Sequence, residues 1–199
     1  MTQIRCRRFV RAEGEALVDF LSGDTWPFHG SRTVDPEQVR RGLADGVYEG
    51  EESRTFWVLV GDDVVGLVRL MDLGDPTPVL DLRIRTPWRG RGIGRQALEW
   101  ATRYLFEEFP RVRRIEGTTR QDNVAMRRTF LRCGYVKEAH YRQGWPGADG
   151  TVHDAVGYAV LRGDREAGTV TAVPWDDEEL VRGDRGATGA GGVSAPARP

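Results

Sequence analysis

Cysteine, net charge and long apolar runs are all scarce in this sequence. The 199 residues include two cysteines, Cys6 and Cys133, with no Cys-x-x-Cys spacing, which argues against a disulfide framework or a structural zinc site. The formal net charge is only -1, so the chain as a whole is not drawn to nucleic acid or anionic membranes. No segment reaches the roughly 18 apolar residues that span a bilayer, and none resembles a signal peptide. We therefore expect a cytoplasmic protein without nucleic-acid or membrane partners.

Metal-binding patterns are also missing. The three histidines, His29, His140 and His153, are scattered and form no His-x-x-x-His pair. We therefore expect no metal cofactor.

The periodicity of apolar residues predicts an α/β domain over residues 1–163. Strands are predicted at 3–9, 56–60, 64–71, 79–85, 112–119, 135–142 and 152–161, and helices at 12–21, 36–46, 92–107 and 122–133. Asp35 and Asp122 are the predicted helix N-caps, and Gly134 is the predicted left-handed residue after the last helix. The extension 164–199 turns acidic and then rich in Gly, Ala, Arg and Pro, which predicts disorder from about residue 180.

The segment from Thr86 to Gln96 carries the clearest chemical signal. It is rich in glycine and arginine, and it joins a predicted strand to the best-defined predicted helix. Free amides at a helix start, the positive end of the helix dipole and nearby arginines all favour a phosphate or pyrophosphate. The segment lacks the Gly-Lys-Ser/Thr ending of a P-loop, and glycines 90, 92 and 94 do not fit the dinucleotide-binding register. A tight turn surrounded by solubilising arginines remains the alternative.

Two motifs resemble the GNAT acetyltransferase superfamily. Arg89-x-x-Gly92-x-Gly94 is similar to its Arg/Gln-x-x-Gly-x-Gly/Ala signature, and the segment Asn123 to Tyr135 is similar to its Asn-led helix that ends in Gly-Phe or Gly-Tyr. The resemblance covers roughly residues 4–162. It implies an α/β fold with a central mixed, mostly antiparallel sheet flanked by helices and ending in a hairpin. The closing pattern, from Asp149-Gly150 to Arg162, resembles the branch that acetylates the N-termini of ribosomal proteins.

The resemblance implies acetyl-CoA as the cosubstrate, with its pyrophosphate held by the glycine-rich segment. The implied cofactor-binding residues are Ile84, Arg85, Arg89, Gly90, Arg91, Gly92, Ile93, Gly94, Arg95, Asn123 and Phe130. Backbone amides near Ile84 and Arg85 would meet the oxyanion that develops during transfer. Asn123 has the alternative of an ordinary place in the first helical turn. Phe130 stands where many relatives carry a tyrosine that protonates the departing thiolate, so it is either a wall of the cofactor slot or part of the core.

The expected reaction is direct attack of a primary amine, either a protein N-terminus or a small molecule, on the thioester. Asp81 is the candidate general base because it is the one acid in the 79–85 strand, although it could instead pair with a neighbouring arginine. Trp26, Phe28 and His29 are candidates for the acceptor pocket, with an aromatic loop anchor as the alternative. No covalent enzyme intermediate is expected, and a homodimer is compatible with the family.

Two other kinds of protein stay open at this point. A non-catalytic acyl-CoA sensor on the same fold is favoured by the missing tyrosine and the uncertain base. A nucleotide-dependent oxidoreductase is disfavoured by the glycine register.

Overall fold

A computed structural model describes residues 3–175. The predicted disorder from about residue 180 lies outside the described residues. The strands are β1 (Arg5–Arg8), β2 (Ser53–Val60), β3 (Asp63–Met71), β4 (Val79–Ile84), β5 (Arg114–Arg120), β6 (Val136–Pro146) and β7 (Val152–Leu161). The α-helices are α1 (Gly14–Ser22), α2 (Pro36–Ala44), α3 (Ile93–Glu108), α4 (Val124–Arg132) and α5 (Arg162–Ala167).

The strands of the described residues form one sheet in the order β1-β2-β3-β4-β5-β7-β6. Every neighbouring pair is antiparallel except β4 and β5, which are parallel. The predicted mixed, mostly antiparallel sheet with flanking helices and a closing β6–β7 hairpin is therefore confirmed. The hairpin is longer than predicted, since Trp145 pairs with His153 and Pro146 with Val152.

The two faces of the sheet build two hydrophobic cores. Strand residues alternate between faces, so Trp57 and Leu67 join α1 and α2 on one side. On the other side Val68 and Leu70 pack with the apolar stripe of α3, including Leu98. Because β4 follows the same alternation, Asp81, Arg83 and Arg85 are on the α1–α2 face, while Leu80, Leu82 and Ile84 are on the α3 face.

The sheet opens between β4 and β5. These strands pair only at Val79 and Glu116, near the start of β4, and share no further register pair. On the other edge of β4, the Arg85 amide donates to the Val65 carbonyl of β3 at 2.9 Å. Amides alternate in direction along a strand, so those of Leu82 and Ile84 face the opening towards β5.

The caps of α2 and α4 show which local predictions succeeded. Asp35 caps α2, accepting from the Glu37 amide at 3.0 Å as predicted. The prediction for Asp122 is wrong, because its carboxylate is held by Arg120, and the Asn123 side chain caps α4 by accepting from the Met126 amide. Gly134 has the predicted positive φ, 81°.

Candidate active site

Two cavities meet at the opening between β4 and β5. The first, of about 720 Å³, is lined by the glycine-rich segment, the start of α3 and α4, and we call it the loop cavity. The second, of about 770 Å³, is lined by Asp81 and the β3 and β4 arginines, with α2 at its rim, and we call it the sheet cavity. Both are lined by the same group of residues at their junction: Phe28, His29, Leu82, Arg83, Asn123 and Met126.

The loop cavity presents free amides at the start of α3. Gly92 is the N-cap, with a left-handed φ of 78°, and no side chain caps the helix. The first amide bonded to the cap is that of Gln96, which donates to the Gly92 carbonyl at 3.2 Å. The amides of Ile93, Gly94 and Arg95 therefore precede the helical hydrogen bonds and point out of the helix start. This arrangement, with the helix dipole behind it, suits an anion such as pyrophosphate.

Gly94 keeps the space between α3 and β4 free. A Cβ built on it would lie 3.8 Å from Ile84 Cγ1 and 4.0 Å from Leu82 Cδ2, which is ordinary contact distance. A methyl group therefore fits, but any longer side chain would extend into the space that a ligand of the loop cavity needs.

The arginines of the segment have different surroundings. Arg89 braces the loops, donating from Nε to the Ile84 carbonyl at 2.8 Å and from Nη2 to the Thr25 carbonyl at 2.7 Å. Arg91 lies over the Trp88 ring, and Arg95 is 3.9 Å from Glu99. All three line the loop cavity.

Two of the predicted cofactor-binding side chains do not line either cavity. Arg85 lies on the opposite face of β4 from Ile84, and its guanidinium packs over the Phe20 ring, 4.8 Å from the centroid. Ile93 is buried in the α3 core, so only its backbone amide is at the segment. The remaining predicted residues Ile84, Gly90, Gly92, Gly94 and Asn123 do line the loop cavity.

Asp81 lies on the floor of the sheet cavity with both oxygens engaged. Oδ1 is 3.0 Å from His29 Nε2, and Oδ2 accepts from Arg83 Nε at 3.0 Å. Burial by itself would raise the pKa of Asp81, but the charge of Arg83, the His29 hydrogen bond and the charge of Arg69 outweigh it and hold the pKa well below its usual range. A carboxylate with so little proton affinity is a poor direct base near neutral pH and a good partner for a histidine.

His29 stands at the junction of the two cavities. With its Nε2 facing Asp81, the neutral ring that donates there keeps a lone pair on Nδ1. Nδ1 is buried and has no hydrogen-bond partner among the described residues. Trp26 supports the ring edge-on, is itself buried, and donates from Nε1 to the Leu21 carbonyl.

Of the three predicted acceptor-pocket residues, the structure therefore places only His29 and Phe28 at the junction. Trp26 is a buried residue that anchors the loop, and it lines the loop cavity but not the sheet cavity.

Asn123 lines both cavities at the junction, whereas Phe130 lines only the sheet cavity. The Asn123 side chain caps α4 and also donates from Nδ2 to Thr119 Oγ1 at 3.0 Å. Phe130 is buried, stacks on Tyr158 with ring centroids 4.9 Å apart, and borders the sheet cavity. No phenolic hydroxyl stands at that position to protonate a leaving group.

Arg69 and Arg83 were not predicted as site residues, although both line the sheet cavity. The alternation along 79–85 could have flagged Arg83 because it shares a face with Asp81. Arg69 could not be found that way, since only the strand register, in which it pairs with Asp81, brings it there.

Comparison with known proteins identifies the class. The family model described as an acetyltransferase (GNAT) domain matches residues 4–136, more than half of the chain, and the protein belongs to this family. A search of curated proteins finds no match.

Solved structures share the fold. A chimera of the Vibrio cholerae spermidine N-acetyltransferase SpeG with hSSAT superposes with a TM-score of 0.69 at 16% identity, covering 81% of this chain and 97% of that chain. SpeG in complex with manganese ions gives 0.68 at 16%, covering 83% and 96%, and a putative acetyltransferase from T. thermophilus gives 0.64 at 21%, covering 82% and 88%. Another structure of the Vibrio cholerae enzyme is described as dodecameric.

Within residues 3–175 no group of three or more His, Cys, Asp or Glu side chains is arranged to hold a metal ion. Over the same range no helix is both long and apolar enough to cross a membrane.

Proposed function

We propose that this GNAT acetyltransferase transfers an acetyl group from acetyl-CoA directly to a primary amine, with the two substrates entering through the two cavities. The observation that carries the proposal is their junction at the opening of the sheet, where one ligand in each cavity would bring two reacting groups together. Direct transfer needs both substrates held at once in a near-attack geometry, which such a junction provides.

The loop cavity would hold the cofactor. The amides of Ile93, Gly94 and Arg95 would bind the pyrophosphate, with Arg91 and Arg95 adding positive charge. When bound, acetyl-CoA supplies the activated acetyl group as a thioester.

The edge of β4 that faces the opening would stabilise the transition state. The Leu82 and Ile84 amides point there, so they are the donors suited to a developing oxyanion. The Arg85 amide, which the sequence placed in the same role, is excluded because it donates to the Val65 carbonyl.

His29 would act as the general base that removes a proton from the amine, and Asp81 would position His29. An alkylammonium has no lone pair for attack, so a base must accept its proton near neutral pH. Asp81 would fix the ring through Nε2 and stabilise the charge that the ring acquires, while Nδ1 takes the proton. Asp81 then contributes to catalysis through His29 rather than by direct contact.

The leaving thiolate needs no tyrosine in this scheme. A thiolate is a passable leaving group near neutral pH and can take its proton from water. This is consistent with Phe130 at the position where relatives have a hydroxyl.

The test is release of free thiol from acetyl-CoA across a panel of small primary amines and peptide N-termini, with mass spectrometry of the products. We expect release with at least one amine and an acetylated product. Cofactor binding without release across the panel would support the rival function, an acyl-CoA sensor, which the missing hydroxyl at Phe130 favours.

We propose a cytoplasmic location, and we keep the protein N-terminus among the acceptors because of the closing 149–162 pattern. Sedimentation velocity would test whether the protein forms a homodimer.

A further inference from the structure

The sheet cavity holds more positive charge than its one buried carboxylate neutralises. Arg69 pairs with Asp81 across the β3–β4 register, and Arg83 lies two residues along the same face of β4. Both oxygens of Asp81 are already engaged, one with His29 and one with Arg83. Among the described residues, no hydrogen bond or close ion pair joins Asp81 to Arg69.

The guanidinium groups have donors with no acceptor. Arg69 makes no hydrogen bond or ion pair with any described residue, and its guanidinium lies 5.4 Å from the centroid of the Tyr48 ring. Its Nε and the Nη1 of Arg83 are buried without a partner. A buried donor without an acceptor costs about 1–3 kcal/mol, so the unpaired guanidinium groups that line this cavity favour an anionic ligand in it.

The rim of the cavity does not compensate. The charged residues at the rim are Arg41 and Asp45, which are both exposed and have opposite charges. With three arginines against two aspartates among the lining residues, the formal charge is +1 with His29 neutral. A polyamine would place further ammonium groups beside unpaired guanidinium groups, and like charges in a partly desolvated cavity repel.

We propose that the acceptor is a primary amine that also carries an anionic group, a carboxylate or a phosphate. The amine faces His29 and Asp81, and Arg69 with Arg83 binds the anion. Guanidinium groups match carboxylate and phosphate oxygens in geometry and charge. Because Arg83 and Asp81 are in direct contact, a short spacer joins the two groups of the acceptor. This inference rests on the proposed acetyl transfer and narrows its substrate class.

Matched amines test the inference by thiol release at saturating acetyl-CoA. β-Alanine is compared with propylamine, O-phosphoethanolamine with ethanolamine, and spermidine is included as a polycation. We expect kcat/KM at least tenfold higher for one anionic amine than for the matched amine without the anionic group. The pair with the larger ratio identifies the anion as carboxylate or phosphate. Equal or higher kcat/KM for propylamine, ethanolamine or spermidine overturns the proposal.

Arg69→Gln removes the unpaired charge while leaving the Asp81 contacts intact. It should raise KM for the preferred anionic amine at least tenfold, and it should reduce the kcat/KM preference for that amine over the matched amine without the anionic group at least tenfold. Arg40→Gln is the control, because Arg40 pairs with Glu15 and Glu37 outside the cavity, and it should change neither value. An Arg69→Gln variant that folds, by circular dichroism, and keeps the wild-type KM overturns the proposal.

Binding without turnover separates this inference from the proposed function. Propionate and inorganic phosphate are titrated into the wild type and the Arg69→Gln variant, and the melting temperature is followed. We expect one anion to raise the melting temperature of the wild type only. If no amine releases thiol, the proposed acetyl transfer fails. If neither anion stabilises the wild type more than the variant, the anion site itself is refuted.

Discussion

Two substitutions of Gly94 distinguish an effect on ligand binding from an effect on folding. Gly94 lies in the first turn of α3 without a positive φ, and a methyl group would meet Ile84 and Leu82 at ordinary contact distance. Gly94→Ala should therefore fold and gain roughly 0.5–1 kcal/mol from reduced backbone freedom. For a chain of this size that corresponds to a rise of about 1–4 °C in melting temperature. The affinity for acetyl-CoA should stay within about threefold of the wild type.

Gly94→Val gives the opposite result for the ligand. Both γ-carbons are fixed by one preferred helical rotamer, so they cannot turn out of the space between α3 and β4. The variant should remain folded and bind acetyl-CoA at least tenfold more weakly, or about 1.4 kcal/mol, by isothermal titration calorimetry. Wild-type affinity in a folded Gly94→Val variant would refute the assignment of the cofactor to the loop cavity.

Three further predictions concern the N-cap of α3, the Asp81–His29 pair and the two cysteine thiols. Gly92→Ala should lower stability by roughly 1–2 kcal/mol in denaturant unfolding, because an L side chain is strained at a φ of 78°; no loss would show that the cap relaxes. Asp81→Asn should bind acetyl-CoA normally but lose about 10²-fold in turnover, and unchanged turnover would remove the Asp81–His29 pair from the mechanism. The variant should also be less stable than the wild type. This difference in stability should shrink below about pH 4, because a carboxyl group with a lowered pKa stabilises the fold only while it is ionised. Burial raises the pKa of Cys6 to about 12 and that of Cys133 to about 11. Both thiols should therefore react with iodoacetamide at pH 8 at least roughly 10²-fold more slowly in the folded protein than in urea. Fast labelling of the folded protein would contradict the raised pKa of the thiol that reacts.

Local sequence patterns predicted the strands and helices and singled out the glycine-rich segment, because each of these depends on neighbours along the chain. The alternation over 79–85 placed Asp81 and Ile84 on opposite faces of β4, and the glycine spacing located the free amides of α3. These signals need no tertiary information.

The rest of the site depends on contacts between distant segments. His29 reaches Asp81 across 52 positions of sequence, and Arg69 reaches it only through the β3–β4 register. No local pattern carries either contact. The cap of α4 was missed for a different reason, since Asp122 and Asn123 are both good N-caps and Asp122 pairs with Arg120, only two residues away, which leaves Asn123 to cap the helix.

Initial-rate kinetics with acetyl-CoA and an amine varied together test the central claim most directly. Simultaneous binding in the two joined cavities predicts intersecting double-reciprocal lines and no acetylated form of the protein by intact-mass measurement. Parallel lines, with an acetyl group trapped on the protein in the absence of amine, would contradict direct transfer at the junction of the two cavities.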